Sequence, residues 1–268
     1  MRKLSIQQTL REAVLLPFRH WRHFSILLIG SVVLVSVTLA AVLVLVQQEW
    51  MVKVLGMFIG SAIVVGSFTM LAISCHRFIL LGDSSISSFQ IWNWRMRETR
   101  FLLCGLALAI VGMFCVFAPL MLGVFIGRIF EEEFKLFSVI ALLSGGSVGF
   151  VICCYLTAWL SLIFPAVAID KRPTEGWIEW SSALTSNNEW RLATIVMFIP
   201  LPFWWVIDWL GNHLIPIVRE APIEITLATL ALRIAIIGIE LVFQVAILSV
   251  SYRELSAIEI AAGEQTGS

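Results

Sequence analysis

Charge is what this sequence has least of. Asp, Glu, Lys and Arg make up 13% of its 268 residues, where soluble domains carry ~25%, so an ordinary water-facing surface is missing. The 18 basic and 18 acidic residues cancel to a formal net charge of zero. A nucleic-acid partner needs a basic face, and none is expected here. The five cysteines, Cys75, Cys104, Cys115, Cys153 and Cys154, all sit inside apolar runs. That placement suits small packing residues, and their spacing matches neither a metal site nor a disulfide framework. His20, His23, His76 and His213 lack paired-ligand spacing, so no metal and no cofactor is expected. The sequence has no Walker loop, dinucleotide fingerprint, G-x-S-x-G elbow or paired acidic site. It is therefore read as a non-enzyme. No small-x-small cleavage site follows the first apolar run near Gln47, and that run is expected to stay as a membrane anchor.

What fills the chain is hydrophobic, at 59%. The apolar runs predict an all-α polytopic bundle of six transmembrane helices, at about residues 24–46, 52–81, 101–125, 137–168, 191–210 and 223–250. The fourth run is too long for one crossing. Tilt, the Gly145-Gly146 pair or a break at Pro165 must absorb the surplus. Pro200 and Pro202 interrupt the fifth run, a loop with His213, Pro216, Arg219 and Pro222 follows it, and residues 256–268 read as a polar tail that frays.

Between the apolar runs lies a recurring plan, clearest in residues 164–192, FPAVAIDKRPTEGWIEWSSALTSNNEWRL. A span ends at Pro165 and Asp170, and an amphipathic helix follows at about 173–186. Trp177, Trp180 and Leu184 lie on its apolar side, with Glu175, Glu179, Ser182 and Ser186 opposite. Pro173 suits its first helical position. Trp190-Arg191 then opens the next span. The same plan is read at about residues 4–21, where Ser5 and Gln8 form a capping pair, Ile6, Leu10, Ala13, Val14, Pro17 and Trp21 trace one face, and Pro17 is expected to kink or end the helix. It is read again at about 85–97, with Ser87, Gln90, Trp92 and Trp94. The prediction is one membrane domain over residues 1–255, built as three parallel hairpin repeats (1–82, 83–170, 171–255), each preceded by a helix lying in the headgroup layer.

Orientation follows from the cations. Lys53, Arg128, Lys135 and Arg219 fall on one side; apart from Arg233, every other Lys and Arg falls on the other. By the positive-inside rule the second side is cytoplasmic, which puts both termini inside and the protein in a bacterial inner membrane. Arg22, Arg77, Arg100, Arg191 and Arg253 should ring that interface and meet anionic lipid headgroups. Membrane lipids are the expected partners, together with a partner protein or a second copy of the chain.

Within the hydrocarbon, Arg233, Glu240 and Gln244 share one face of the sixth span. Charges there cost ~2.5–3.5 kcal/mol each on insertion scales, so they need partners in the bundle interior. Helical side chains lean toward the N-terminus, which turns Arg233 away from Glu240 and leaves Asp208 as a group that could intervene. The face reads either as a polar clasp or as an ion or proton pathway. Three Gly-x-x-x-Gly pairs, Gly56 with Gly60, Gly123 with Gly127 and Gly145 with Gly149, predict close crossings among spans two, three and four. Glu131, Glu132 and Glu133 read as a solvated turn, because consecutive residues do not converge on one cation.

HRFILLGD, FPAVAID with its polar stretch and NNEWRL, and the closing SVSYREL carry a family resemblance. In layout the chain resembles the uncharacterised bacterial six-helix inner-membrane proteins grouped around the membrane domain of glycerophosphoryl diester phosphodiesterases. That resemblance implies a membrane domain with no agreed activity. The soluble phosphodiesterase barrel of some relatives has no room here, so its catalysis is not carried over. The expected role is a scaffold, assembly or envelope-maintenance factor; the alternative is a small-molecule or lipid transporter using the Arg233 and Glu240 face.

Overall fold

The computed structural model describes residues 3–45, 49–82, 94–129, 135–171, 176–218 and 223–266. Among them there is helix and no strand, as a lipid solvent demands when each peptide group must be bonded within its own segment. In chain order the helices are α1 (Ile6–Arg19), α2 (Trp21–Leu45), α3 (Trp50–Leu81), α4 (Met96–Ile129), α5 (Lys135–Ser161), α6 (Ile163–Ala168), α7 (Trp177–Thr185), α8 (Glu189–Phe198), α9 (Pro200–Val218) and α10 (Ile223–Thr266). Six segments are long and apolar enough to cross a membrane: α2, α3, α4, the α5–α6 run, the α8–α9 run and α10. The protein is an all-α, multi-pass membrane bundle.

Prolines set the breaks. Pro165 has no N–H to give and its ring crowds the carbonyl one turn back, so the fourth span parts at Leu162 between α5 and α6. Gly145 and Gly146 stay inside α5. Pro200 acts likewise, and the fifth span parts at Ile199. Two stops use left-handed backbone. Gly82, at φ 83°, ends α3, a geometry glycine adopts without a Cβ clash. Asp170, at φ 58°, ends α6: its N–H bonds Val167 O at 3.1 Å and that of Lys171 bonds Ala166 O at 3.0 Å. Those two bonds cap the orphan carbonyls of the helix end.

The core centres on α10, which packs against α1, α2, α3 and α9 and more lightly on α6, α7 and α8. Of its apolar window 56% is buried, against 6% for α4, which leans mainly on α5. One buried cluster joins Leu162, Leu192, Ile195, Ile247 and Val250 to Leu4 and Ala13 near and in α1 and to Trp180 and Leu184 of α7. A second joins Leu71, Cys75, Phe78, Phe101, Val167 and Val242. Gly238 lets α10 meet α2, since a Cβ there would lie 2.5 Å from Leu28 Cδ1.

Several sequence expectations change. Ser5 makes no side-chain cap; instead Thr9 Oγ1 donates back to the Ser5 carbonyl at 2.8 Å. Pro17 is accommodated inside α1, which runs on to Arg19, and Trp21 starts α2 rather than sharing the buried face. The central short helix begins at Trp177, and Pro173 and Glu175 lie outside the described residues. So do Ser87, Gln90 and Trp92, and the acidic run Glu131–Glu133. α9 carries helix through His213 and Pro216 to Val218, where a loop was expected. The polar tail does not fray at residue 256: α10 continues to Thr266, because SAIEIAAGEQ is rich in good helix formers with nothing to stop it.

The glycine pairs act two helices at a time. Gly56 and Gly60 face Leu45 and Val42 of α2, while Gly145 and Gly149 face the α4 backbone at Pro119, Gly123, Cys115 and Val116. Close crossing occurs within the α2–α3 and α4–α5 pairs, rather than among spans two, three and four together. Pro119 contributes to the second. Its missing N–H leaves the Cys115 carbonyl unbonded inside α4, and a Cβ on Gly149 would sit 2.9 Å from that oxygen. Only glycine lets α5 come so near.

Candidate functional site

Polar side chains gather at one end of the bundle, where α2, α4 and α8 begin and α3 and α6 finish. α1 is fastened there at its very start. The backbone N–H of Leu4 donates to Asn188 Oδ1 at 2.9 Å, and Arg191 Nη1 donates to the Leu4 carbonyl at 2.7 Å. Asn188 is the N-cap of α8, so the residues that open the fifth span also close over the chain's first described turn. Further along, Thr9 Oγ1 also lies 2.8 Å from Glu254 Oε2, so its single proton is shared between that carboxylate and the Ser5 carbonyl, and Glu12 pairs with Arg253. α1 therefore rests on α8 and α10 through both polar bonds and buried apolar groups.

α4 starts in a second knot. Glu98, only 1% exposed, accepts the backbone N–H of Arg95 at 2.9 Å and the guanidinium of Arg97. The first bond is half of a capping box, from the third helical residue back to the N-cap. Arg97 also reaches Asp170 at 3.5 Å, and Arg77 donates to the Ala168 carbonyl at 3.4 Å, tying α3 and α4 to the end of α6. Beside them, the Lys171 ammonium stands 5.4 Å from the Trp180 ring and 5.8 Å from Tyr252. Ser181 of α7 donates to the Trp159 carbonyl at 2.6 Å, and His76 Nδ1 lies 2.7 Å from Ser249 Oγ, joining α3 to α10.

The five arginines expected at lipid headgroups thus divide. Arg77, Arg191 and Arg253 bond protein groups. Arg100 lines a small cleft together with Val167, Asp170, Lys171 and Trp177, and Arg22 is exposed, 5.9 Å above the Trp21 ring. α7 keeps the apolar side read from its sequence, with Trp180 and Leu184 buried and Trp177 half-buried. The cover over that side is protein, where lipid was expected.

Deeper in the bundle, Glu240 is 8% exposed and accepts Gln244 Nε2 at 2.9 Å. Gln244 leans back one turn onto it, as helical side chains do. The Trp204 indole of α9 bonds the same carboxyl. Asp208, one turn beyond Trp204, instead accepts Asn212 Nδ2 at 2.9 Å and is exposed. Glu240 and Arg233 form no ion pair, and Arg233 Nε is buried without a hydrogen-bond partner among the described residues. Of the four residues predicted to act together, only Glu240 and Gln244 meet. Trp204 was missed, although an indole N–H within an apolar span always needs an acceptor.

No known protein family, curated protein or solved structure matches the chain.

Proposed function

We propose that the protein is a non-enzymatic integral protein of the bacterial inner membrane, serving as a scaffold, assembly or envelope-maintenance factor. The observation that carries this reading is the fastening of α1. Leu4, Thr9 and Glu12 are tied to α8 and α10 by Asn188, Arg191, Glu254 and Arg253, which turns the end of the bundle into a fixed polar surface. A scaffold needs such a surface, held rigid so that partner binding costs little ordering. In this reading the three-repeat plan and the likeness to phosphodiesterase membrane domains describe a layout that presents one face, toward the cytoplasm. The cation distribution supports that orientation.

Two measurements test it. With the five native cysteines replaced by alanine, Gly82→Cys and Lys171→Cys should both react with a membrane-impermeant thiol reagent only from the cytoplasmic side. Labelling from opposite sides would end the topology and the shared face with it. Affinity purification from mild detergent should then return one reproducible protein partner, lost on Arg191→Ala, which frees α1. A sample that carries no partner removes the scaffold role.

The transporter reading has one observation in its favour, the buried Arg233 Nε that has no hydrogen-bond partner among the described residues. A pathway there requires that Glu240→Gln abolish substrate flux while folding stays normal. The clasp reading requires that flux and growth be unchanged.

A further inference from the structure

A cleft opens between α1, the end of α3 and the late turns of α10, enclosing about 400 Å³ between Leu16, Arg19, His20, Phe78, Ile79 and Arg253. Small-ligand sites occupy ~300–1,000 Å³, so this one suits a headgroup-sized ligand. Its floor is apolar. The Phe78 ring is met edge-on by His20 at 5.2 Å and stacked by His23 at 5.0 Å, with Leu16 and Ile79 beside it. Its rim is cationic. The Arg253 charge is matched by Glu12 on the cleft wall, but Arg19 is exposed and has no ion-pair partner among the described residues.

The surroundings say what kind of molecule reaches it. Phe18, 64% exposed, and Trp21, 61% exposed, flank Arg19 and His20 on the outer surface. Exposed aromatics interleaved with Arg and His mark the depth at which lipid headgroups meet acyl chains. A free phosphate would use Arg19 and leave the apolar floor without a role. A phospholipid uses both.

We propose that this cleft binds the phosphate of an anionic phospholipid, with Arg19 donating to the phosphate oxygens and the glycerol end of the acyl chains lying over Leu16, Phe78 and Ile79. Guanidinium is suited to that task by its planar fork of donors. The site moves specific lipid contact from the arginine ring to a residue one turn before it. It depends on the membrane depth of the α1–α2 junction and is independent of the scaffold role, so either can fail without the other.

The test uses the full chain in nanodiscs of phosphatidylcholine with a minority of phosphatidylglycerol, and native mass spectrometry to count retained lipid after mild delipidation. The wild type should keep one phosphatidylglycerol in preference to phosphatidylcholine, and Arg19→Gln should weaken that retention by about tenfold. Arg19→Lys should restore part of it, and Arg22→Gln, which removes the same charge outside the cleft, should change it by clearly less, at most the about fivefold that ~1 kcal/mol of general surface attraction supplies. Equal losses in Arg19→Gln and Arg22→Gln would mean general surface attraction and would overturn the site. So would a wild type without lipid preference. A third arm titrates inorganic phosphate into lipid-free detergent solution. Binding there as tight as that of the lipid assigns the cleft to free phosphate and removes the lipid from it.

Discussion

Gly145→Ala destabilises the α4–α5 pair by about 2 kcal/mol, the middle of the range for overpacking a well-filled contact, while Gly146→Ala, the very next residue, does not. At Gly145 a new Cβ would stand 2.4 Å from the Pro119 carbonyl oxygen and 3.3 Å from Gly123 Cα. Both are backbone atoms of the facing helix, so relief requires the helices to separate. Separation forfeits the close packing that holds membrane helices together without a hydrophobic drive. At Gly146 the nearest atom is Leu120 Cδ1, at 3.8 Å, an ordinary contact. There alanine gains about 0.5–1 kcal/mol in helix propensity over glycine. Thermal unfolding of both variants in one detergent should put Gly145→Ala well below the wild type and Gly146→Ala at or above it. If the two melt together, Gly145 is not the point of closest approach between α4 and α5.

Glu98→Ala carries the largest electrostatic cost, about 3 kcal/mol, the lower end of the range for breaking a buried ion pair. The carboxylate is 1% exposed and the Arg97 side chain 14%. Among the described residues, losing the acid leaves a largely enclosed guanidinium with only Asp170, at 3.5 Å, to answer it. The N-cap donor of Arg95 loses its acceptor at the same time. Glu98→Gln separates the two effects, because its amide oxygen still accepts the Arg95 N–H while the charge is gone. Its loss should fall between wild type and Glu98→Ala. Chemical or thermal unfolding reads the ordering directly, and an Ala variant as stable as wild type would show that Arg97 does not depend on this partner.

How much of this could be read from the chain depended on whether the cause was local. The spans were legible because a run of Val, Leu, Ile and Phe longer than the bilayer core has one outcome in lipid, and the breaks at Leu162 and Ile199 follow from Pro165 and Pro200. The reach of α10 to Thr266 was not, because a drop in hydropathy looks like an end even where Ala, Glu and Ile continue the helix well. The partners of the polar residues were the least legible. Gln244 on Glu240 is an i, i+4 contact and could be foreseen. Asn188 on Leu4, Thr9 on Glu254 and His76 on Ser249 join residues that no periodicity relates. Arg191 was read as a lipid contact for the same reason: the carbonyl it binds belongs to the opposite end of the sequence.

The bond between Leu4 and Asn188 spans 184 positions of sequence, which sets a timetable for biogenesis. At ~5–20 residues per second, a ribosome needs roughly ten to forty seconds to deliver the second partner after the first has emerged. Throughout that interval the N-terminal helix has its own groups to satisfy and nothing to fasten to. α1 is thus fastened by partners made long after it, Asn188 first and Arg253 and Glu254 of α10 later still.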